Sequence, residues 1–231
     1  MEGVYDWLDV NYLNLTFQEN TPSVGSLDMG GASTQIAFNT EDKSDLKNTV
    51  PITLNGITYN IHSNSYLGLG QDQARHTMAL SKNADSCYPI GYQSNASFNY
   101  STCTDAYSEV ITPFNIDVQI PADQKFIAFS GAYYDYVFFK MKTLEQTDVE
   151  NTIKTVCSET WSELKTNYPT ESDAYLANYC ANGTYVTNLF YNYYHLLGKN
   201  LQVVNQIEQH GIDWTLGALL YDLTLHRKPK N

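Results

Sequence analysis

This sequence lacks long apolar runs and histidines at metal-ligand spacing, and its basic residues are few. No stretch of about 18 consecutive apolar residues is present, so no membrane-spanning helix is expected. Lysine and arginine together number 13 against 25 acidic residues, and the net charge of −12 argues against nucleic acid or an anionic membrane as the main partner. The five histidines lack a ligand spacing such as His-Glu-x-x-His, which argues against a zinc hydrolase.

Cysteine is also scarce, and the four present are too widely spaced for a zinc ribbon or a Cys-x-x-Cys redox site. We therefore expect disulfides. Of the three possible pairings, the one with the shortest loops joins Cys87 to Cys103 and Cys157 to Cys180. Acceptor sequences for N-glycosylation occur at Asn14, Asn95, Asn99 and Asn182. Together these features predict a protein that is secreted, at the cell surface or in the lumen of the secretory pathway.

The first residues show neither the basic start nor the apolar run of a signal peptide. A secretory protein needs such a leader, so we expect that the N-terminal part of a longer protein precedes Met1. The composition that is present, 42% hydrophobic and 13% aromatic over 231 residues, is ample for a buried core.

The most informative stretch is Asp28-Met29-Gly30-Gly31-Ala32-Ser33-Thr34-Gln35. Small and apolar residues flank it on both sides, which predicts a strand-turn-strand corner. Two adjacent glycines can take backbone conformations that other residues avoid and can turn N–H groups toward an anion. Asp28 can hold a divalent cation, while Ser33 and Gln35 can hydrogen-bond a phosphate or a water. A plain glycine-rich hairpin turn is the alternative.

The rest of the chain carries both strand and helix patterns. Residues 52–61 predict a hairpin around Asn55-Gly56. A strand from Phe126 is expected to pass into a helix, and Thr147 to Glu150 match a capping box before a helix through Trp161 and Leu164. Further helices are expected from Gln71, from Tyr179 and from Trp214.

Several of these stretches resemble, in the same order, the apyrase conserved regions of the ecto-nucleoside triphosphate diphosphohydrolases. The octad at Asp28 resembles the fourth region, and residues 126–134 resemble the fifth, Phe-x-Ala-Phe-Ser-x-x-Tyr-Tyr. Glu2-Gly3-Val4-Tyr5-Asp6-Trp7 resembles the end of the third, Glu-Gly-x-Tyr-Gly-Trp, with Asp6 in place of the family's glycine. The resemblance extends over nearly the whole chain.

The resemblance implies an α/β lobe of the actin-like, ribonuclease H-like fold, with a mixed sheet flanked by helices. Residues 1–213 would form the C-terminal lobe, and residues 214–231 the terminal helix that in the family returns to the N-terminal lobe. The family's first phosphate loop, Asp-x-Gly-Ser, is not found in this sequence, so we expect the N-terminal lobe to be missing. The apolar face of the last helix should then be poorly covered; it comprises Leu216, Leu219, Leu220 and Leu223.

The resemblance also implies a reaction, the hydrolysis of nucleoside tri- or diphosphates by water. Glu2 would be the general base, and Ser33 and Gln35 would help to hold the attacking water. Asp28 would position Ca²⁺ or Mg²⁺ through water. The N–H groups implied to cradle the phosphates are those of Gly30, Gly31, Ala32 and Ser33. The residues implied to flank the nucleobase are Ser130 and Tyr134, whose ring the base can stack on.

At two positions that would contact the nucleobase, the sequence departs from the family pattern. Cell-surface members of the family carry base-contacting arginines at positions that fall here at Gln71 and near Asn192. Two other functions compete with hydrolysis of nucleotides. One is a different ATP-using enzyme of the same fold, such as an exopolyphosphatase or a sugar kinase. The other is a secreted glycoprotein that binds nucleotides without catalysis.

Overall fold

The computed structural model describes residues 1–41 and 48–226, which form an α/β fold. The strands are β1 Gly25–Met29, β2 Ser33–Asn39, β3 Thr49–Leu54, β4 Ile57–Leu67, β5 Phe126–Ser130, β6 Leu201–Val203, β7 Gln206–Ile207 and β8 His210–Gly211. The helices are α1 Glu2–Leu13, α2 Gln71–Met78, α3 Tyr100–Ile111, α4 Gly131–Phe138, α5 Gln146–Cys157, α6 Trp161–Asn167, α7 Asp173–Leu176, α8 Tyr179–Thr187 and α9 Trp214–His226.

Six strands form one mixed sheet in the order β3-β4-β2-β1-β5-β6. β1 pairs antiparallel with β2 and parallel with β5, so it lies at the centre of the sheet. The remaining pairs are antiparallel between β2, β4 and β3 and parallel between β5 and β6. The predicted fold class, a mixed sheet flanked by helices, is confirmed.

Helices cover both faces of the sheet. Leu27 and Met29 of β1 point to one face, where they join the main core with residues of α2, α3, α5 and α8. The opposite face carries α1, whose Trp7 and Leu8 pack against Ala37 and residues of the β3–β4 hairpin. α1 is therefore buried along most of its length.

The hairpin predicted at Asn55-Gly56 is confirmed. Both residues have positive φ, 52° and 84°, as a tight two-residue turn requires. Its second strand, β4, continues to Leu67, where it pairs with Ser33 at the start of β2. The hairpin thus ends beside the octad.

The capping box predicted at Thr147 is wrong. α5 begins at Gln146 after Glu145 and ends at Cys157, so no single helix runs through Trp161. The capping box lies at the next helix instead, where Thr160 accepts the amide hydrogen of Glu163 and the Glu163 carboxylate accepts that of Thr160. The pattern recurs at Thr160-Trp161-Ser162-Glu163, and there the backbone of the hydroxyl residue is extended just before the helix begins.

Both predicted disulfides, Cys87–Cys103 and Cys157–Cys180, are present. The first fixes the segment before α3 to that helix, and the second joins α5 to α8. The glycosylation sequences fall into two groups. Asn14, Asn95 and Asn99 are exposed, whereas Asn182 lies within α8 and is only 9% exposed.

The last helix packs on the first. A Cβ added at Gly217 would overlap the Tyr5 carbonyl oxygen, which shows how closely the two backbones approach. The prediction of a poorly covered apolar face holds for Leu219 and Leu223, which are 57% and 54% exposed. It is wrong for Leu216 and Leu220, which are half-buried because α9 lies against α1.

Candidate active site

The turn between β1 and β2 is fixed by the start of α2. The amides of Gln71 and Asp72 donate to the carbonyl oxygens of Gly30 and Gly31 at 2.8 and 3.0 Å. Neither turn glycine has a positive φ, contrary to the expectation of an unusual backbone. Close approach is the actual constraint, since a Cβ added at Gly70 would overlap the backbone between Ala32 and Ser33.

The carbonyl oxygens of Gly30 and Gly31 accept hydrogen bonds from α2. The N–H groups of the same turn then decide which amides can bind an anion. The Gly30 N–H donates to the Ser33 carbonyl at 3.1 Å, so it is already used within the loop. Among the backbone hydrogen bonds of the described residues, none takes the N–H of Gly31 or Ala32. Both residues are exposed. Of the predicted phosphate-binding amides, those of Gly31 and Ala32 are therefore the best placed.

Gln35 connects the predicted catalytic side chains. Its amide nitrogen lies 2.9 Å from a carboxylate oxygen of Glu2, 2.8 Å from the Ser33 hydroxyl and 3.0 Å from the Ser65 hydroxyl. Gln35 itself is buried, and Glu2 is exposed at the first position of α1. The structure thus brings Glu2, Ser33 and Gln35 together in one hydrogen-bonded group.

Asp28 lies at the end of β1, directly opposite Gln35 in the pairing with β2. Burial raises the pKa of its carboxyl group, a hydrogen bond from Ser130 lowers it, and the charge of Glu2 raises it. Its Oδ1 is buried and receives no hydrogen bond from the described residues. A half-buried carboxylate with an unused oxygen fits the divalent cation expected there.

Asp6, the departure from the family pattern, is only 1% exposed. Neither of its carboxylate oxygens receives a hydrogen bond from any described residue. Burial and then the negative charges of Asp28 and Glu2 raise the pKa of this carboxyl to about 9. Sequence reasoning identified Asp6 only as a departure from the family's glycine, because nothing in the local pattern indicated that this acid is buried.

A cavity of about 890 Å³ links the glycine turn to the predicted base-binding residues. Its lining includes Gly30, Gly31, Ser130 and Tyr134, and Tyr134 is 61% exposed. Ser130 has a φ of 58°, a left-handed backbone of the kind that clusters at functional sites. The predicted phosphate and base residues therefore share one cavity.

The same cavity contains groups that the sequence did not indicate. Tyr175, which is 69% exposed, and Glu171 both line it. They lie in the segment around α7, which carries no motif that could have pointed to them. Gln71 also lines the cavity, but its amide donates to the buried Asp135 at 2.7 Å. Asn192 is not among the lining residues and donates to Asn188 at 2.9 Å.

The described ranges hold neither a ready-made metal site nor a membrane-spanning helix. Within residues 1–41 and 48–226, no three histidine, cysteine or acidic side chains are grouped as metal ligands. None of the helices in that part of the chain combines the length and apolar character that crossing a membrane requires.

The comparison with family models decides the identity. The model of the GDA1/CD39 (nucleoside phosphatase) family matches residues 1–106 and 92–229. The chain belongs to this family. Mouse ectonucleoside triphosphate diphosphohydrolase 1 is 27% identical over 95% of the chain and 56% of its own length. Chicken ectonucleoside triphosphate diphosphohydrolase 8 is 28% identical over 95% of the chain and 57% of its own length. This nucleoside phosphatase family chain thus spans a little over half the length of the curated relatives it matches.

Solved structures support the fold. A nucleoside triphosphate hydrolase from Neospora caninum superposes with a TM-score of 0.71 at 12% identity, covering 97% of this chain and 63% of the other. A Ppx/GppA phosphatase from Aquifex aeolicus gives a TM-score of 0.55 at 14% identity, covering 95% of this chain and 62% of the other. At these identities the likeness is one of fold, the actin-like fold that the sequence predicted.

Proposed function

We propose that this chain is the C-terminal lobe of a metal-dependent hydrolase that cleaves nucleoside tri- or diphosphates. The cleft would be shared with an N-terminal lobe in another part of the same protein. The observation that carries the proposal is the hydrogen bond from Gln35 to Glu2 at the edge of the glycine turn. A carboxylate held there can take a proton from a water beside a phosphate bound to the turn. Membership of the nucleoside phosphatase family supports this class of reaction.

Each part of the site has a separate task. The amides of Gly31 and Ala32 bind the oxygens of the terminal phosphate. The Ser33 oxygen accepts a hydrogen bond from Gln35, so its own hydrogen can be donated to the phosphate or to the attacking water. Glu2 removes the water's proton, and Gln35 keeps Glu2 in place during in-line attack. This sequence of steps needs no covalent phosphoenzyme.

Asp28 would hold the cation, Ca²⁺ or Mg²⁺. The fit rests on its buried Oδ1, which no described donor satisfies, and on the preference of both ions for carboxylate oxygens. A bound cation would neutralise phosphate charge and act as a Lewis acid.

Tyr134 would stack against the nucleobase, with Ser130 beside it. Both line the cavity that also contains the glycine turn. A ring that is 61% exposed in an otherwise folded helix has a free face for stacking.

The secretory pathway is the proposed location. Two disulfides and three exposed glycosylation sequences support it. The relatives named as ecto-enzymes agree with it.

The test is phosphate release by the full-length protein from ATP, ADP, GDP and UDP, with Ca²⁺ or Mg²⁺. Glu2→Gln should lower kcat by roughly 10²- to 10⁴-fold, as expected for loss of a general base. It should leave nucleotide binding intact, because Glu2 does not hold the phosphate. Glu19→Gln, at an exposed position outside the cavity, is the matched control and should turn over normally.

The other outcomes are distinct. Full activity in Glu2→Gln would refute the assignment of the base. Nucleotide binding without phosphate release by the unmodified protein would favour the non-catalytic secreted glycoprotein. Hydrolysis of inorganic polyphosphate instead of nucleotides would favour the exopolyphosphatase alternative.

A further inference from the structure

α1 crosses the sheet directly above β1. At one end of the helix, a Cβ on Gly3 would lie 2.6 Å from the Ser63 hydroxyl and 3.3 Å from Cβ of Gln35, so this end rests on β4 and β2. At the other end, Val10 packs with Ile127 of β5. Since β1 lies between β2 and β5, the middle of the helix lies over β1.

Asp6 is the residue of α1 that faces β1. It follows Gly3 by three residues and precedes Val10 by four, so all three occupy the same side of the helix. The β1 side chains on this face of the sheet are Ser26 and Asp28, because the alternate residues belong to the main core on the other face. Asp6, Ser26 and Asp28 thus form a small polar layer between helix and sheet.

This layer contains oxygen atoms without donors. Both carboxylate oxygens of Asp6, Oδ1 of Asp28 and the hydroxyl of Ser26 are buried, and none has a hydrogen-bond partner among the described residues. Buried carboxylates are normally paired or bound to a metal, because an isolated one costs several kcal/mol. A cation bound in this layer would coordinate the oxygen atoms that receive no hydrogen bond.

The charged side chains around Asp6 also favour a bound cation. The charged groups that act on Asp6 are those of Asp28, Glu2, Asp9 and Asp213, and all are acidic. None of the ion pairs found among residues 1–41 and 48–226 includes Asp6, Asp9 or Asp28. Four acidic side chains therefore act on Asp6, and no ion pair among the described residues supplies it with a counter-charge.

We propose that Asp6 and Asp28 together hold one divalent cation between α1 and β1, with the Ser26 hydroxyl as a further oxygen donor. The inference rests on the proposed function and deepens it, because it gives the cation of that site a second carboxylate. Two carboxylates completed by water and phosphate oxygens are a normal set for Mg²⁺, and Ca²⁺ accepts a similar one. No third acidic ligand is required, which agrees with the absence of a ready-made group of three in the described part of the chain.

The family pattern has glycine at the position of Asp6, so the second carboxylate is a feature of this chain. One consequence is that the cation should bind before the nucleotide does. A site with a single carboxylate depends on the substrate's phosphates to retain the ion, whereas a site with two has a net charge that attracts it alone.

The experiment is calorimetric titration of the full-length protein with CaCl₂ or MgCl₂ near neutral pH, without nucleotide. Asp6→Asn should weaken the cation's binding at least tenfold and should remove the rise in Tm that the cation gives the parent protein. Asp28→Asn should do the same. Asp123→Asn is the control, since Asp123 is an exposed acid whose charge is not among those that act on Asp6. Its Kd should stay within twofold of the parent's.

A parent-like Kd in Asp6→Asn would overturn the proposal, and Asp6 would then be a buried acid that holds its own proton. Asp6→Gly, which restores the family's residue, is the second variant if the asparagine form does not fold. Because the titration contains no nucleotide, its result is independent of turnover. Loss of hydrolysis with intact cation binding would count against the proposed function alone.

Discussion

Gln35 connects three polar side chains through one nitrogen atom. An amide nitrogen carries two hydrogens, so it can donate to only two of the three oxygens at 2.9, 2.8 and 3.0 Å at one time. A charge-assisted bond to the Glu2 carboxylate is the strongest of these. The two serine hydroxyls therefore share the second hydrogen, and either can donate its own.

Gln35→Leu should lower kcat about 10-fold or more while KM changes little. The side chain keeps its volume in the buried position, but Glu2 loses the donor that orients it, a charge-assisted bond of about 1.5–3 kcal/mol. Steady-state phosphate release by the full-length protein would measure this. Ser65→Ala, which removes another hydrogen-bond partner of the same nitrogen, should cost less than about threefold. A raised KM at constant kcat in Gln35→Leu would instead place the side chain in substrate binding.

Tyr134→Ala should raise KM for all nucleotides roughly tenfold, since stacking of a base on an aromatic ring contributes about 1–3 kcal/mol. The kcat should remain within about threefold, because the ring lies away from the phosphate chemistry. Tyr12→Ala, at a tyrosine that is 47% exposed and outside the cavity, provides the control and should leave KM unchanged. Equal effects of the two substitutions would contradict stacking on Tyr134.

The raised pKa of Asp6 predicts how stability depends on pH in the presence of a chelator. Its pKa rises from 3.8 to about 9 on folding, so between these values the folded state binds the extra proton. The stability that protonated Asp6 gives the folded state is therefore fully present below pH 3.8. As pH rises from 3.8 toward 9, the free energy of unfolding falls by up to about 1.4 kcal/mol per pH unit. Denaturant unfolding from pH 4 to 9 would measure it.

Asp6→Asn should flatten this dependence and stabilise the protein at neutral pH. Asp9→Asn should affect only a narrower window, because the pKa of Asp9 rises no further than about 6. Parallel curves for the parent and Asp6→Asn would contradict the assignment.

At the scale of elements, the packing of α9 on α1 holds the helix that carries Glu2. The two helices approach so closely at Gly217 that a side chain there would overlap the Tyr5 carbonyl. Tyr5 and Tyr221 also meet with ring centroids 5.6 Å apart. The terminal helix thus braces α1 on the side where Tyr5 lies.

Gly217→Ala should lower the free energy of unfolding by about 1–3 kcal/mol, the usual cost of overpacking a close approach. The shift in the denaturant midpoint would measure it. Leu219→Ala, on the same helix but 57% exposed, should be nearly neutral. An unchanged midpoint in Gly217→Ala would show that α9 can move away from α1 without loss of stability.

The elements that the sequence could predict are those with a strong local signal. The Asn55-Gly56 turn and the strand from Phe126 depend on neighbouring residues. The two disulfides close the shortest loops that four cysteines allow, with separations of 16 and 23 residues. The capping box predicted at Thr147 is wrong. The same short pattern occurs again at Thr160, where the capping box forms, and the pattern alone does not distinguish the two positions. The burial of Asp6 could not be predicted, because it depends on α1 lying across β1. Tyr175 joins the cavity only through the path of the chain around α7.

At the scale of the whole molecule, the chain spans 56% of mouse ectonucleoside triphosphate diphosphohydrolase 1. If the cleft is shared with another lobe, this chain supplies one side of the phosphate site. Each hydrogen bond that the other side donates to the transition state is worth about 3 kcal/mol, or more than 100-fold in rate.

The isolated chain should therefore hydrolyse ATP at least about 100-fold more slowly than the full-length protein. The comparison needs equal concentrations, saturating Mg²⁺, and the Glu2→Gln form of the isolated chain as the background. Turnover by the isolated chain that approaches the full-length rate would refute the shared cleft.

The position of Asn182 has a consequence for biosynthesis. Its side-chain oxygen accepts a hydrogen bond from Arg75 at 3.0 Å, and Thr184 of the same acceptor sequence is fully buried. In the folded chain the Asn182 side chain is therefore closed to an enzyme that attaches glycans. A sugar at Asn182 would have to be added before α8 packs, and it would then prevent that packing. If the protein passes through the secretory pathway, we expect this acceptor sequence to be bare in the folded molecule.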